Sequence, residues 1–153
     1  MSPHPLLLVS RRDLLDACNG PGGERLVSQL AGLTRRGYRL VTMASQPDEW
    51  SRSKAESKRC KPPSQRIRDR IAEAGGVLNG IYYIPQSFLT QKTRREEALK
   101  DLLSRFSTES GDCYLVSSSR SFLAVAHKLG IRDIRLDENT DLSAALVGLP
   151  AGG

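Results

Sequence analysis

The sequence has few of the residues that build zinc sites, disulfide frameworks and histidine-based catalytic centres. It contains three cysteines and two histidines in 153 residues. Cys18, Cys60 and Cys113 are scattered, odd in number and not at metal-ligand spacing, which argues against a disulfide framework or a zinc site. His4 and His127 have no Cys or Asp neighbour arranged as a ligand set or a triad, so we assign no role to them.

Long apolar runs are also missing. The longest runs, such as Leu6–Val9 and Ala144–Val147, are far too short to cross a bilayer. The amino-terminal residues lack the pattern of a signal peptide, in which a basic region precedes an apolar one. We therefore expect a cytoplasmic protein with no membrane partner.

Aromatic residues make up only 5% of the chain, whereas one segment is strongly basic. The segment Ser51–Arg70 contains eight basic and two acidic residues, which accounts for the whole formal net charge of +6. Such segments are typical of contact with nucleic acid or acidic proteins. Single-strand binders also use several stacking rings, and Trp50 is the only aromatic residue near this segment. Three interpretations of this segment remain: a solvated flexible loop, a protein-docking surface or a nucleic-acid surface. The candidate contact residues are Arg52, Lys54, Lys58, Arg59, Lys61, Arg66 and Arg70.

Predicted strands and helices alternate along the chain. Short apolar segments predict strands at 5–9, 38–44, 113–116 and 131–136, and a further strand within 77–84 that is centred on 81–84. Apolar residues at helical spacing predict helices at 24–36, 64–74, 93–106 and 119–129, with a short helix or turn at 142–147. This alternation favours a mostly parallel sheet covered on both faces. We expect one domain over residues 1–153, with a basic loop at 45–63 and a frayed tail from about 148 to 153.

Four stretches occur in a specific order: "LLLVSRRDLLD", "LAGLTRRGYRLVTMASQ", "AGGVLNGIYYIPQ", and "CYLVSSSRSFLAVAHKLGI" followed by "IRL". In this order the chain resembles the haloacid dehalogenase-like phosphatases, specifically the histidinol-phosphate and heptose-bisphosphate phosphatase branch. The resemblance runs from about Leu6 to Leu136, and "NGIYYIP" and "AVAHKLGI" are its most specific parts. It implies an α/β fold, a Rossmann-like three-layer sandwich with a mostly parallel sheet and a minimal cap.

The resemblance also places the family's catalytic positions on this sequence. The nucleophilic Asp and the proton-donating Asp correspond to Ser10 and Arg12, and Asp13 falls one place late. Phosphoryl transfer needs a nucleophile, a proton donor and cations, and Mg²⁺ prefers carboxylate ligands. Because these positions hold no carboxylate, the replacements predict that the family's catalytic residues are degenerate in this chain. The phosphoryl-binding Thr and the two metal-holding Asp of the family fall at Ala44, Ser118 and Phe122.

These replacements predict that the chain is not an enzyme and holds no cofactor or metal. The leading hypothesis is a catalytically inactive, phosphatase-like protein that acts as a protein-binding accessory or regulatory subunit. The alternatives are a nucleic-acid-associated accessory protein that binds through residues 51–70, and a residual sugar or histidinol phosphate phosphatase. The turn after the first strand is interpreted either as a metal-free anion pocket or as a disused cleft filled by Ser and Arg. The candidate anion-binding residues are Arg11, Arg12, Lys92, Ser117 and Ser119.

Overall fold

A five-stranded parallel sheet runs through the described part of the protein, in the strand order β3-β2-β1-β4-β5. The structure is a computed structural model that describes residues 5–44, 63–83 and 92–149. The parallel sheet confirms the predicted fold class. The strands are β1 (Leu6–Ser10), β2 (Arg39–Ala44), β3 (Gly80–Tyr83), β4 (Cys113–Ser117) and β5 (Arg132–Arg135).

Helices cover both faces of this sheet and form two separate hydrophobic clusters. The first cluster packs side chains of α1, α2, α3 and α6 against one face of the sheet, and the second packs those of α4 and α5 against the other. The result is the three-layer arrangement that the sequence predicts. The helices are α1 (Arg11–Asn19), α2 (Gly23–Arg35), α3 (Pro63–Glu73), α4 (Lys92–Arg105), α5 (Arg120–Lys128) and α6 (Leu142–Val147), with a short 3-10 helix at Ser110–Asp112.

The central strand β1 explains why the chain begins with an uninterrupted apolar run. Alternate side chains of a strand point to opposite faces, so both faces must be covered for every residue to be buried. Leu7 and Val9 pack in the first cluster, and Leu6 and Leu8 pack in the second. All four are at most 1% exposed.

Helix α1 is the main element that the sequence analysis missed. We predicted a polar turn after the first strand, but the chain enters a helix directly at Arg11. Only Leu14 and Cys18 of this helix are buried, one turn apart. Two apolar positions in a segment of nine residues are too few to predict a helix from hydrophobic spacing. The stronger local indication of a helix is Ser10, which caps its amino-terminal end.

Two smaller differences concern segment ends. Helix α3 begins at Pro63, which we had placed at the end of the basic loop; the rest of that loop lies outside the described residues. Leu149, which we had placed in the frayed tail, is buried in the first cluster, and residues 150–153 lie outside the description. No helix among the described residues is long and apolar enough to span a membrane.

Candidate active site

The candidate site lies at the carboxyl ends of β1 and β4, which are neighbours in the sheet. After β1 the chain continues on one side to β2, whereas β4 lies on the other side, so the strand order reverses between β1 and β4. In parallel α/β sheets such a reversal opens a crevice above the strand ends, where ligands bind. Ser10 is the last residue of β1, and Ser117 is the last residue of β4.

The first turn of α1 brings a carboxylate back over the end of β1. Ser10 caps the helix by accepting a hydrogen bond from the backbone N–H of Asp13, at 3.2 Å. In return, the hydroxyl of Ser10 donates to Oδ2 of Asp13, at 2.8 Å. A helix places residue i+3 beside residue i, whereas an extended strand would carry it away. Asp13 is therefore one place late in sequence and yet adjacent to the strand end in space.

Ser118 completes a polar cluster across the two strands. Its backbone N–H donates to Oδ2 of Asp13 at 3.0 Å, and its hydroxyl donates to Oδ1 at 2.8 Å. The two residues are 105 positions apart in the sequence. We call Ser10, Asp13 and Ser118 the switch-point cluster. In this cluster two hydroxyls, one from each strand end, donate to the same carboxylate.

The structure brings together some of the predicted anion-binding residues. Arg11 and Arg12 begin α1 at the candidate site, and Arg12 is exposed. Ser117 is buried and its hydroxyl accepts from the N–H of Ser119 at 3.0 Å. Ser119 caps α5 by accepting from the N–H of Phe122. Both serines therefore shape the turn after β4.

Three of the other predicted positions do not contribute a described side chain to the site. Phe122 is 6% exposed and packs in the second hydrophobic cluster, away from solvent. Ala44 ends β2 and Lys92 begins α4, but the side chains of both lie outside the description.

His127, to which we assigned no role, forms a hydrogen bond with Asp133 at 3.1 Å on the exposed side of α5 and β5.

A groove of about 480 Å³ adjoins the switch-point cluster between α1 and the turn that leads from β5 to α6. Asp13 and Ser118 belong to its lining, so the groove opens directly onto the cluster. The sequence analysis missed this groove because its carboxylates come from two distant parts of the chain. The acidic residues that line it are Asp13, Asp16, Asp137, Glu138 and Asp141.

The predicted partner surface is described only in part. Arg66 is exposed on α3. Arg70 instead donates to the backbone carbonyl of Cys18 at 3.0 Å and pairs with Glu24 at 3.2 Å. Both contacts are internal to the domain. The residues Arg52, Lys54, Lys58, Arg59 and Lys61 lie outside the described residues, so the predicted protein and nucleic-acid partners stay predictions.

No protein-family model matches the chain, and no curated protein matches its sequence. Solved structures match it over nearly its whole length. One of them is D,D-heptose 1,7-bisphosphate phosphatase from B. bronchiseptica, complexed with magnesium and phosphate. Its sequence is 18% identical to this chain, the TM-score is 0.62, and the match covers 97% of this chain and 89% of that one. The same enzyme from Burkholderia thailandensis is 18% identical with a TM-score of 0.57, covering 97% and 88%. An uncharacterized protein from Corynebacterium glutamicum is 18% identical with a TM-score of 0.61, covering 94% and 90%.

The chain has the haloacid dehalogenase-like fold. The match to two heptose-bisphosphate phosphatases confirms the structural resemblance that the four sequence stretches indicate. The switch-point cluster lies where the strand order of this sheet reverses.

These comparisons contradict the prediction that the chain is not an enzyme, because two structures that share its haloacid dehalogenase-like fold are phosphatases. The prediction matched the family's two Asp positions to Ser10 and Arg12 and set Asp13 aside because it falls one place late. The physical reason for the error is helix α1, whose first turn returns the Asp13 carboxylate to Ser10.

The described residues of this chain do not form a preformed site for magnesium, which the B. bronchiseptica structure contains. Within 5–44, 63–83 and 92–149, no group of three or more His, Cys, Asp or Glu side chains is arranged to hold a metal ion. Mg²⁺ requires oxygen lone pairs in near-octahedral geometry. The switch-point cluster offers one carboxylate, and its two oxygens already accept from two hydroxyls and one N–H.

Proposed function

We propose that this protein hydrolyses phosphate monoesters at the switch-point cluster, with Ser10 as nucleophile and Asp13 as general base. One observation carries the proposal: the hydroxyl of Ser10 donates to the carboxylate of Asp13 at 2.8 Å, at the end of the central strand. A hydroxyl within hydrogen-bond distance of a base is the arrangement that activates a serine nucleophile. The haloacid dehalogenase-like fold of two phosphatases supports the same reaction class.

Helix positions support binding of the phosphate group at this site. Helices α1 and α5 begin directly after the neighbouring strands β1 and β4, at Arg11 and Arg120. The amino-terminal ends of both helices therefore lie at the same edge of the sheet, where their dipoles favour an anion. The exposed guanidinium of Arg12 adds a group that can bind phosphate oxygens through two hydrogen bonds.

The reaction has two balanced halves. In the first, the Oγ–P bond of Ser10 forms while the bond from phosphorus to the alcohol oxygen breaks, and the hydroxyl proton passes through Asp13 to the leaving oxygen. In the second, water attacks the phosphoserine, and its proton passes through Asp13 back to Ser10 as inorganic phosphate leaves. Asp13 is unchanged at the end of the cycle, as a general base must be.

The acidic groove favours a particular kind of alcohol. A second phosphate of the substrate in this groove would face Asp16, Asp137 and Asp141, and like charges at short distance repel. A neutral or cationic leaving group meets no such repulsion. We therefore expect monophosphates of neutral sugars or amino alcohols to be better substrates than bisphosphates.

The experiment measures phosphate release by the full chain from p-nitrophenyl phosphate, a sugar monophosphate, a sugar bisphosphate and a phosphorylated amino alcohol, each with EDTA and with MgCl₂. We expect Ser10→Ala to abolish release and Asp13→Asn to reduce it about 10²- to 10⁴-fold, the usual contribution of a general base. Mass spectrometry of the acid-quenched mixture should find phosphate on Ser10.

Ser28→Ala is the matched control, because Ser28 is an exposed hydroxyl on α2 outside the site. It should retain the wild-type rate. Release that persists in Ser10→Ala at the rate of the Ser28→Ala control would refute the assignment of Ser10. Failure of all four esters under both conditions would refute the proposed activity.

A further inference from the structure

We infer that the carboxylate of Asp13 is a built-in cross-link between the β1 and β4 turns, so that this site keeps its shape without a divalent cation. The inference concerns structure and cation binding, and does not rest on the proposed hydrolysis. Asp13 accepts three hydrogen bonds, one from the β1 side and two from the β4 side. These bonds join residues 105 positions apart at the strand reversal.

The chemistry of the partners argues that a cation is excluded from this position. Ser10 and Ser118 both direct hydroxyl protons at the carboxylate, and the backbone N–H of Ser118 does the same. Oδ2 of Asp13 already accepts from two donors, so a cation could bind both carboxylate oxygens only by displacing one of them, and it would face an N–H that has no lone pair to offer. Hydrogen bonds to an ionised acceptor are stronger than those between neutral groups, so the displacement is unfavourable.

The geometry also explains how two neutral serines can occupy these strand ends. In this chain the negative charge comes from one residue, Asp13, and the serines supply donors that stabilise it. The cluster is therefore complete with a single charge. A second carboxylate at position 118 would replace the hydroxyl donor with acceptors, while the backbone N–H stays, and would create repulsion that a cation could relieve.

The test measures the melting temperature of the full chain in EDTA and in increasing MgCl₂, with NaCl at matched ionic strength. We expect the wild type to melt at the same temperature in all three, within about 1 °C. Ser118→Ala should melt roughly 2–8 °C lower, because it removes a hydrogen bond to a charged acceptor in a chain of this size. Ser118→Asp should also melt lower in EDTA, and MgCl₂ should raise its melting temperature.

Ser121→Ala is the control, since Ser121 is an exposed serine on the same helix, α5. It should melt as the wild type does. The inference is overturned if Ser118→Ala melts at the temperature of this control, or if MgCl₂ raises the wild-type melting temperature as much as that of Ser118→Asp. No substrate is present, so a failure of the proposed hydrolysis leaves this result unaffected.

Discussion

At the scale of single residues, position in space decides what a charged side chain does. Arg70 belongs to the basic segment, yet its guanidinium binds a backbone carbonyl of α1 and an acidic side chain of α2. Asp13 shows the same principle at the candidate site, where a carboxylate that is displaced in sequence is adjacent to Ser10 in the fold. Ser10 and Ser118 could be located from sequence because they follow apolar strands, whereas their shared partner could not.

Arg70→Ala should lower the free energy of unfolding by about 1–2 kcal/mol, because it removes a half-buried hydrogen bond to the carbonyl of Cys18. Glu24→Gln should change it by less than about 0.5 kcal/mol, because the Glu24 side chain is 95% exposed and surface ion pairs contribute little. Urea unfolding of both variants gives the two values. Equal losses would mean that the ion pair, rather than the carbonyl contact, is the important interaction.

At the scale of elements, the contact between α2 and the end of α3 depends on two glycines. The backbone N–H of Gly76 donates to Ile71 at 2.8 Å, and Gly75 adopts a φ of 90°, which favours glycine. A Cβ on Gly76 would lie 2.5 Å from the Cα of Ala31 and 2.8 Å from Oγ1 of Thr34. The two glycines follow the end of α3 at Glu73. The close approach to α2 adds a second reason for glycine.

Gly76→Ala should lower the free energy of unfolding by about 1–3 kcal/mol, because the added methyl group overlaps the Cα and Cβ of Ala31 and Oγ1 of Thr34 on the packed helix α2. Gly111→Ala is the matched control, since a Cβ there meets nothing within 4 Å and its φ is not positive. It should change stability by less than about 0.5 kcal/mol. Similar losses for the two variants in urea unfolding would contradict the packing argument.

At the scale of the whole molecule, the buried core links stability to pH. Cys113 begins β4 and is 0% exposed in the second hydrophobic cluster. Burial raises the pKa of its thiol from 9.0 to about 12, and the nearby charge of Arg39 lowers it by less. The folded protein therefore keeps a proton that the unfolded chain releases above pH 9. This contribution to stability is complete below pH 9 and is lost as the pH rises from 9 to about 12.

The free energy of unfolding should consequently fall as the pH is raised above 9, with this thiol contributing up to about 1.4 kcal/mol per pH unit. Cys113→Ala should be less stable at neutral pH because it leaves a cavity, but its stability should decline less steeply between pH 9 and 10. Unfolding in urea at pH 7, 9 and 10 measures both slopes. Parallel slopes for the two proteins would show that the thiol does not titrate in this range.

The sequence by itself determined the layered α/β architecture and the strand ends that carry the site. It could do so because hydrophobic periodicity and turn residues act over a few neighbouring positions. Only the tertiary structure decided that Asp13 joins Ser10 to Ser118, that Arg70 contacts α1, and that distant carboxylates share one groove. These contacts depend on the order of the strands and on the entry of the chain into α1. Both are set by packing between segments far apart in sequence, so no local pattern encodes them.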